Sequence, residues 1–202
     1  MDQDSYRTLA AASEATVRER GSRFLAFAWP VASEQEIRER LDALRKTYYD
    51  ATHHCYAWRL GPEGGAQRSN ADGEPPGTAG KPILGQLLSH GITDVLVAVV
   101  RYFGGTKLGV PGLIAAYRAA TAAAIEAGET VEKTVDSMLD VHFSFVAMNA
   151  VMRIVKEEQP RIVEQRFDNL CTMRLAVRRS RAEALVGKLQ QVEGAQAERP
   201  NE

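Results

Sequence analysis

The sequence predicts an α+β fold in two halves, and three observations lead to this class. Segments with alternating apolar residues, typical of strands, are interleaved with segments that carry apolar residues at helical spacing. At 202 residues the chain is long enough for two modest cores. The charged stretch from Glu129 to Lys133 separates two such patterns and is interpreted as a linker. We therefore predict domains at residues 1–132 and 135–202.

The first half is predicted to contain three strands and three helices. Leu25, Phe27 and Trp29 alternate along the first strand, and the following Ser33 and Glu36 form a capping box that starts a helix. Residues 61–81, rich in Gly and Pro, exceed an ordinary connection and are predicted to form a functional or mobile loop. The predicted order is a strand at 23–29, a helix after 33, a strand at 52–60, a short helix from 82, a strand at 95–100 and a helix at 113–127.

The second half is predicted to be a ferredoxin-like domain. Its order is strand, helix, two strands, helix and a weak edge strand, which is the split βαβ arrangement. Pro160 ends the first helix, Asp168 and Asn169 form a hairpin turn, and Ser180 with Glu183 forms a second capping box. Cys171 shares a strand face with other apolar residues, so we expect it in the core.

Composition excludes several classes of protein. A formal net charge of −1 argues against a polycation that coats nucleic acid, so any such binding needs a local patch. Two distant cysteines, Cys55 and Cys171, exclude a disulfide framework and a four-cysteine zinc site, and they favour a reducing cytoplasm. No apolar run approaches the roughly 18 residues that a membrane span requires. We expect a cytoplasmic protein without a membrane segment.

A basic glycine-rich loop at residues 101–112 follows the most apolar strand. Gly104, Gly105 and Gly109 permit positive φ values, while Arg101 and Lys107 supply cations, so the loop suits phosphate. A strand-to-helix turn that needs glycine only for its geometry is the alternative. The charged residues between positions 76 and 118 are four cations and one anion, Asp94; the cations are Lys81, Arg101, Lys107 and Arg118. The loop lacks the P-loop pattern.

Two further clusters are candidates for chemistry. On a strand, His53 and Cys55 share one face and His54 points to the other, so too few ligands converge for a structural zinc. A thiol nucleophile at Cys55 is one alternative, and a buried inert thiol is the favoured one. Asp72 and Glu74 offer an acid/base pair or a site for Mg²⁺. The plainer reading is that they bond backbone amides or pair with Arg101 or Lys107.

These blocks resemble the YigZ/IMPACT family. The resemblance covers roughly residues 22–128 and rests on three motifs in order, His-His-Cys-Tyr-Ala at 53–57, Asp-Gly-Glu-Pro-Pro-Gly-Thr-Ala-Gly at 72–80 and Arg-Tyr-Phe-Gly-Gly at 101–105. It implies an N-terminal domain with a ribosomal-protein-like α/β sandwich, as in domain IV of elongation factor G, followed by a small ferredoxin-like domain. Ala71 and Val110-Pro111 depart from the usual blocks.

The resemblance implies a role without fixing an activity. Eukaryotic members regulate translation by competing for a ribosome-associated activator of an initiation-factor kinase, and bacterial members lack that pathway. We expect a non-enzymatic, translation-associated regulator that contacts RNA, the ribosome or a translation-associated protein, with no cofactor and no metal. The expected binding residues are Lys81, Arg101, Gly104, Gly105, Lys107, Gly109 and Arg118, with Thr78, His53, Asp72 and Glu74 beside them.

Two alternatives stay open at this point. One is a small-molecule enzyme whose anion-binding cleft lies near His53, Asp72 and Glu74, which requires a pocket with convergent polar groups. The other is a protein-protein interaction module, which requires an exposed apolar or mixed patch.

Strand alternation places one of Tyr102 and Phe103 outward, and we expect Phe103 in the core.

Overall fold

The computed structural model describes residues 4–168 and 170–200, and the chain divides into two compact units. The division falls between Lys133 and Thr134, and Asp4 and Ser5 belong with the C-terminal unit. Each unit combines helices and strands around its own apolar core. The predicted α+β class with a small C-terminal domain is therefore confirmed.

The N-terminal unit is a sandwich with one central sheet. Its elements are β1 (Ser5–Leu9), β2 (Ser13–Glu19), β3 (Ser22–Pro30), α1 (Glu34–Thr47), β4 (His53–Leu60), β5 (Ala66–Asn70), α2 (Gly80–Ser89), β6 (Val95–Tyr102), α3 (Gly109–Glu126) and β7 (Thr130–Thr134). Five strands form the sheet in the order β2-β3-β6-β4-β5, while β1 pairs with β7. The helix α1 packs on one face, and α2 and α3 pack on the other. The likeness to domain IV of elongation factor G stays a prediction.

The central strand β6 is apolar on both sides because helices cover both faces of the sheet. Val97 and Val99 pack in the core under α2 and α3, whereas Leu96 and Ala98 pack against α1. Strands β3 and β4 flank β6 in antiparallel register. A strand buried on both faces reads as a continuous apolar run, which explains why this strand was visible in the sequence.

The first capping box forms as predicted. The backbone N–H of Glu36 donates to Ser33 Oγ at 3.2 Å, and the Glu36 carboxylate accepts the N–H of Ala32 at 3.0 Å. Ile37 and Leu41 of the predicted stripe are buried against the sheet. Together the cap and the stripe fix where α1 begins and which side it turns inward.

Four elements of the N-terminal unit differ from the prediction. The long loop at 61–81 contains the edge strand β5, whose sequence Ala-Gln-Arg-Ser-Asn is polar because only one side of its backbone pairs with β4. The stretch interpreted as a linker forms most of β7. Strands β1 and β2 had no counterpart in the prediction, because both contain few apolar residues; β2 is largely exposed.

The C-terminal unit has the ferredoxin-like arrangement. Its elements are β8 (Asp136–Phe143), α4 (Met148–Glu158), β9 (Arg161–Phe167), β10 (Cys171–Arg178), α5 (Arg179–Gln190) and β11 (Ala195–Glu198). The sheet order is β11-β8-β10-β9, and both helices contribute to one core. Cys171 lies in that core with no exposed surface, as predicted. The predicted weak edge strand exists and pairs with β8.

Two predictions in the C-terminal unit are wrong, and one lies partly outside the described residues. Ser180 does not cap α5 with Glu183; its backbone N–H donates to the Asp4 carboxylate at 2.6 Å, and its hydroxyl bonds the same group. The alternation of Leu139, Val141, Phe143 and Phe145 predicts that the first strand of this half reaches Phe145. Instead β8 ends at Phe143, and a 3-10 turn starts at Phe145 and leaves its ring 73% exposed. The predicted turn at residues 168–169 includes Asn169, which lies outside the described residues.

Candidate functional site

A buried ion pair joins the Asp-Gly-Glu segment to the central sheet. Arg101 Nη1 donates to Glu74 Oε1 at 2.6 Å, and only 7% and 2% of the two side chains are exposed. Arg101 continues the row of Val97 and Val99 along β6, on the face that α2 and α3 cover. The guanidinium lies 5.5 Å from the ring centre of Phe24. Arg101 Nε is buried and has no hydrogen-bond partner among the described residues.

The same carboxylate accepts a second buried hydrogen bond. Tyr117 Oη, on α3, donates to Glu74 Oε1 at 2.8 Å, and Cys55 Sγ lies 3.3 Å from that hydroxyl. Burial raises the pKa of the Cys55 thiol to about 12 and raises the pKa of Tyr117 as well. The prediction that Cys55 is buried is confirmed. A thiol that stays protonated is a poor nucleophile, which favours an inert Cys55 over a nucleophilic one.

His53 and Asp72 are connected through the backbone. His53 Nδ1 lies 2.6 Å from the backbone oxygen of Asp72. A carbonyl oxygen only accepts, so Nδ1 donates this hydrogen bond. The other ring nitrogen, Nε2, lies 3.8 Å from Glu74 Oε1. The Asp72 carboxylate accepts a hydrogen bond from the backbone N–H of His54 at 2.7 Å. This bond attaches the Asp-Gly-Glu segment to β4.

The glycine loop has its composition partly for steric reasons. A Cβ on Gly104 would lie 1.9 Å from the backbone carbon of Gly21 and 2.2 Å from the backbone nitrogen of Ser22. Gly105 and Gly109 have φ values of +84° and +72°, which favour glycine. The turn geometry therefore accounts for Gly104 and Gly105, as the plainer alternative stated.

A cleft of about 460 Å³ opens beside this loop in the N-terminal unit. Its lining residues are Thr52, His53, Glu74, Pro75, Arg101, Phe103, Lys107, Leu108, Gly109, Val110 and Leu113. Lys107 is exposed, and the ring of Phe103 is 49% exposed at 5.7 Å from the Arg101 guanidinium. The size is within the range of small-ligand sites.

The first turn of α3 completes the cleft. The helix begins at Gly109 and its first turn has no acidic residue; within the described chain no side chain caps this end. The first N–H groups of a helix lack intrahelical partners and carry the positive end of the helix dipole. Pro111 has no N–H, so in this turn Gly109 and Val110 supply these donors. Beside Lys107, this turn makes the cleft suitable for an anion.

The structure brings together some of the predicted site residues and separates others. His53, Glu74, Arg101, Lys107 and Gly109 all line the cleft. Thr78 is buried and donates to the backbone oxygen of Pro75 at 2.7 Å, so it does not line the cleft. Lys81 on α2 and Arg118 on α3 are exposed outside the cleft. The other predicted residues absent from the lining are Asp72, Gly104 and Gly105.

Two predictions about the basic loop are corrected. Arg101 was expected as a surface cation in a loop, but it belongs to β6 and its charge is paired with Glu74, as the alternative for Glu74 foresaw. Phe103 was expected in the core, but β6 ends at Tyr102, and the ring is free to turn outward. Tyr102 is half-buried and donates to Asp50 at 2.8 Å.

Sequence reasoning missed Tyr117 as a member of the site. The available signal was one tyrosine among the alanines of α3, since a large polar side chain on a buried helical face needs a hydrogen-bond partner. Its ring also packs edge-on against Phe24, with ring centres 5.1 Å apart. Tyr117 thus links the helix, the sheet and the Glu74 carboxylate.

The described residues contain no group of three or more His, Cys, Asp or Glu side chains placed to hold a metal ion. The pair Asp72 and Glu74 does not converge, because Asp72 bonds the backbone and Glu74 pairs with Arg101. Within residues 4–168 and 170–200, no helix is long and apolar enough to cross a membrane.

Comparisons with known proteins match the region that forms the cleft. The sequence model of the Impact N-terminal domain matches residues 20–125. The IMPACT family member YvyE of Bacillus subtilis is 34% identical over 155 residues, 77% of this chain and 71% of YvyE. The chain belongs to the IMPACT family. YigZ of Escherichia coli, another IMPACT family member, is 29% identical over 170 residues and 83% of each chain.

A solved structure supports the whole architecture of this IMPACT-family chain. A crystal structure described only as that of a hypothetical protein covers 99% of each chain with 26% identity and a TM-score of 0.74. The similarity therefore extends through both units. The expected membership of the YigZ/IMPACT family is confirmed.

Proposed function

We propose that this protein is a non-enzymatic cytoplasmic regulator connected with translation that binds RNA at the cleft of its N-terminal unit. The link with translation rests on family membership, since the IMPACT resemblance implies that role for eukaryotic members. Both cysteines are free and buried, which is consistent with a reducing compartment. RNA as the partner rests on the chemistry of the cleft.

The observation that carries the proposal is an exposed aromatic ring beside an anion-binding position. Phe103 is half-exposed at the rim, and Lys107 and the start of α3 at Gly109 line the same cleft. A base stacks on an aromatic face, while a phosphate takes the lysine and the helix N–H groups. Single-stranded RNA offers both groups in one nucleotide.

Arg101 has a supporting part in this proposal. Its guanidinium is neutralised by Glu74, so we assign it no phosphate contact of its own. Instead it stabilises the ring of Phe103 from behind, at 5.7 Å. Binding therefore depends on Lys107 and the ring of Phe103, which predicts weak sequence preference and a modest salt dependence.

The test is binding of ribosomal subunits and short single-stranded RNA across a salt series. Phe103→Ala removes the stacking ring and should weaken RNA binding about tenfold. Lys107→Ala should lower the slope of log K against log salt by about 0.7, the value for one phosphate on a single strand. Melting curves of both variants establish that they are folded.

Matched controls lie on the other side of the sheet. Lys46 and Tyr49, at the end of α1 and just after it, are also exposed; the Tyr49 ring is 84% exposed. Lys46→Ala and Tyr49→Ala therefore remove the same kinds of group from the opposite face. Equal effects of the cleft and control variants on RNA binding would contradict the proposal.

The cleft also favours a second candidate, a site for a small anionic molecule. The side chains of His53, Glu74 and Arg101 converge there, as a small-molecule site requires. Glu74 is occupied by Arg101 and Tyr117, which favours binding over acid-base catalysis. Titration with a nucleoside monophosphate separates the candidates, because the second one requires binding of the monophosphate without binding of RNA.

A further inference from the structure

The C-terminal sheet ends in an exposed edge strand. β9 lies last in the order β11-β8-β10-β9, so among the described residues one side of its backbone has no strand beside it. All seven residues of β9 are exposed. They include the apolar side chains of Ile162, Val163 and Phe167, each more than 40% exposed. An open edge with apolar residues is a template for pairing with another strand.

We propose that β9 pairs antiparallel with β9 of a second copy of this chain. A twofold axis perpendicular to the sheet would extend two four-stranded sheets into one continuous sheet of eight strands. Such an axis places one residue of the strand opposite its own copy. It also keeps every pair of opposing side chains on the same face of the joined sheet.

Among axes at the three central polar residues of β9, the charges favour one register. An axis at Glu164 sets two carboxylates against each other, and an axis at Arg166 sets two guanidinium groups against each other. An axis at Gln165 instead places each Glu164 opposite an Arg166 of the other copy, twice over. Opposite charges in facing positions stabilise a strand pair, whereas like charges destabilise it.

The same register also brings an apolar side chain to the contact. With the axis at Gln165, Phe167 of each copy faces the end of the other strand that holds the extra residue Val163. These side chains are 46% and 45% exposed in the single chain. Phe167 alternates with Arg166 in the regular part of the strand, so it lies on the face of the joined sheet opposite to the ion pairs.

Glu164 faces Arg174 on β10, and the two charges interact electrostatically. Arg174 donates two hydrogen bonds, at 2.7 and 2.9 Å, to Asp140, so its guanidinium is directed to β8. The register with β10 shifts between Glu164 and Ile162, so Val163 is an extra residue in β9 and regular pairing extends from Glu164 to Phe167. The regular part of the strand therefore carries both charges of the proposed pairs.

The test is a charge exchange on the full chain, measured by sedimentation velocity over a concentration series. Wild type should dimerise reversibly at high micromolar concentration. Glu164→Arg and Arg166→Glu each replace two attractive pairs with two repulsive ones and should weaken self-association at least about tenfold. An equimolar mixture of these two variants should associate again, because every facing pair is then opposite in charge.

The double variant Glu164→Arg with Arg166→Glu should also recover self-association. A control variant, Arg153→Glu, changes an exposed residue of α4 and should dimerise like wild type. Circular dichroism establishes that each variant is folded. A chain that stays monomeric throughout the series overturns the proposal, and so does a mixture of the single variants that associates no better than either one alone.

Discussion

Replacing Glu74 with Gln removes the negative charge of the buried ion pair while keeping the shape of the side chain. Arg101 would then be a buried cation with no opposing charge, since Glu74 holds its Nη1 at 2.6 Å. Removal of one partner of a buried pair costs about 3 to 5 kcal/mol. The glutamine oxygen still accepts from Tyr117, so we expect the lower end, about 3 kcal/mol of unfolding free energy.

Urea unfolding followed by tryptophan fluorescence reports the stability of the N-terminal unit, which contains Glu74 and Arg101. The two tryptophans, Trp29 and Trp58, both belong to the N-terminal unit. With an m-value of about 2 kcal/mol/M, the midpoint should fall by about 1.5 M urea. The control Asp42→Asn breaks an exposed pair with Arg45, and its effect should be below about 1 kcal/mol. A Glu74→Gln midpoint equal to that of the control refutes the reasoning.

Three further predictions concern stability. Gly104→Ala should destabilise the N-terminal unit by about 3 kcal/mol, because the new Cβ would overlap the backbone of Gly21 and Ser22. Gly105→Ala has open space around its Cβ and should cost about 1 kcal/mol, because its φ is positive. The urea midpoints of the two variants check both values. The stability of wild type relative to Cys55→Ala should fall as the pH rises from 9.0 towards 12, because the unfolded thiol ionises while the folded thiol stays protonated; a constant difference would refute this. Hydrogen bonding to Arg174 holds the pKa of Asp140 below 3.8, so the destabilisation caused by Asp140→Asn should be present above that pH and disappear as the pH falls through the lowered pKa; thermal melting followed by circular dichroism checks it.

Elements with a strong apolar pattern could be predicted from the sequence. β6 and α1 were found because burial on defined faces dictates where apolar residues fall. The edge strand β5 was missed because it is polar and its existence depends on pairing with β4. Local sequence records burial, whereas long-range pairing of exposed backbone leaves little trace in it.

The candidate site was predictable only in part. Its motifs lie close in space, and the pairing of Glu74 with Arg101 was one of the alternatives considered. The burial of Arg101 was not predictable, because residue type alone does not tell whether an arginine ends a strand inside or outside the core. Tyr117 and the exposed ring of Phe103 depend on how α3 returns over the sheet. Such contacts follow from tertiary packing.

The most direct test of the central claim is a map of backbone amide chemical shifts during titration with a short single-stranded RNA. Binding in the cleft predicts that the largest shifts occur at His53 and at residues 103–110, with saturation that Phe103→Ala weakens. Shifts concentrated at the end of α1 or on the sheet of the C-terminal unit would contradict it. The absence of shifts at RNA concentrations where ribosomal subunits bind would also contradict it. That result would indicate that the chain contacts a protein instead of RNA.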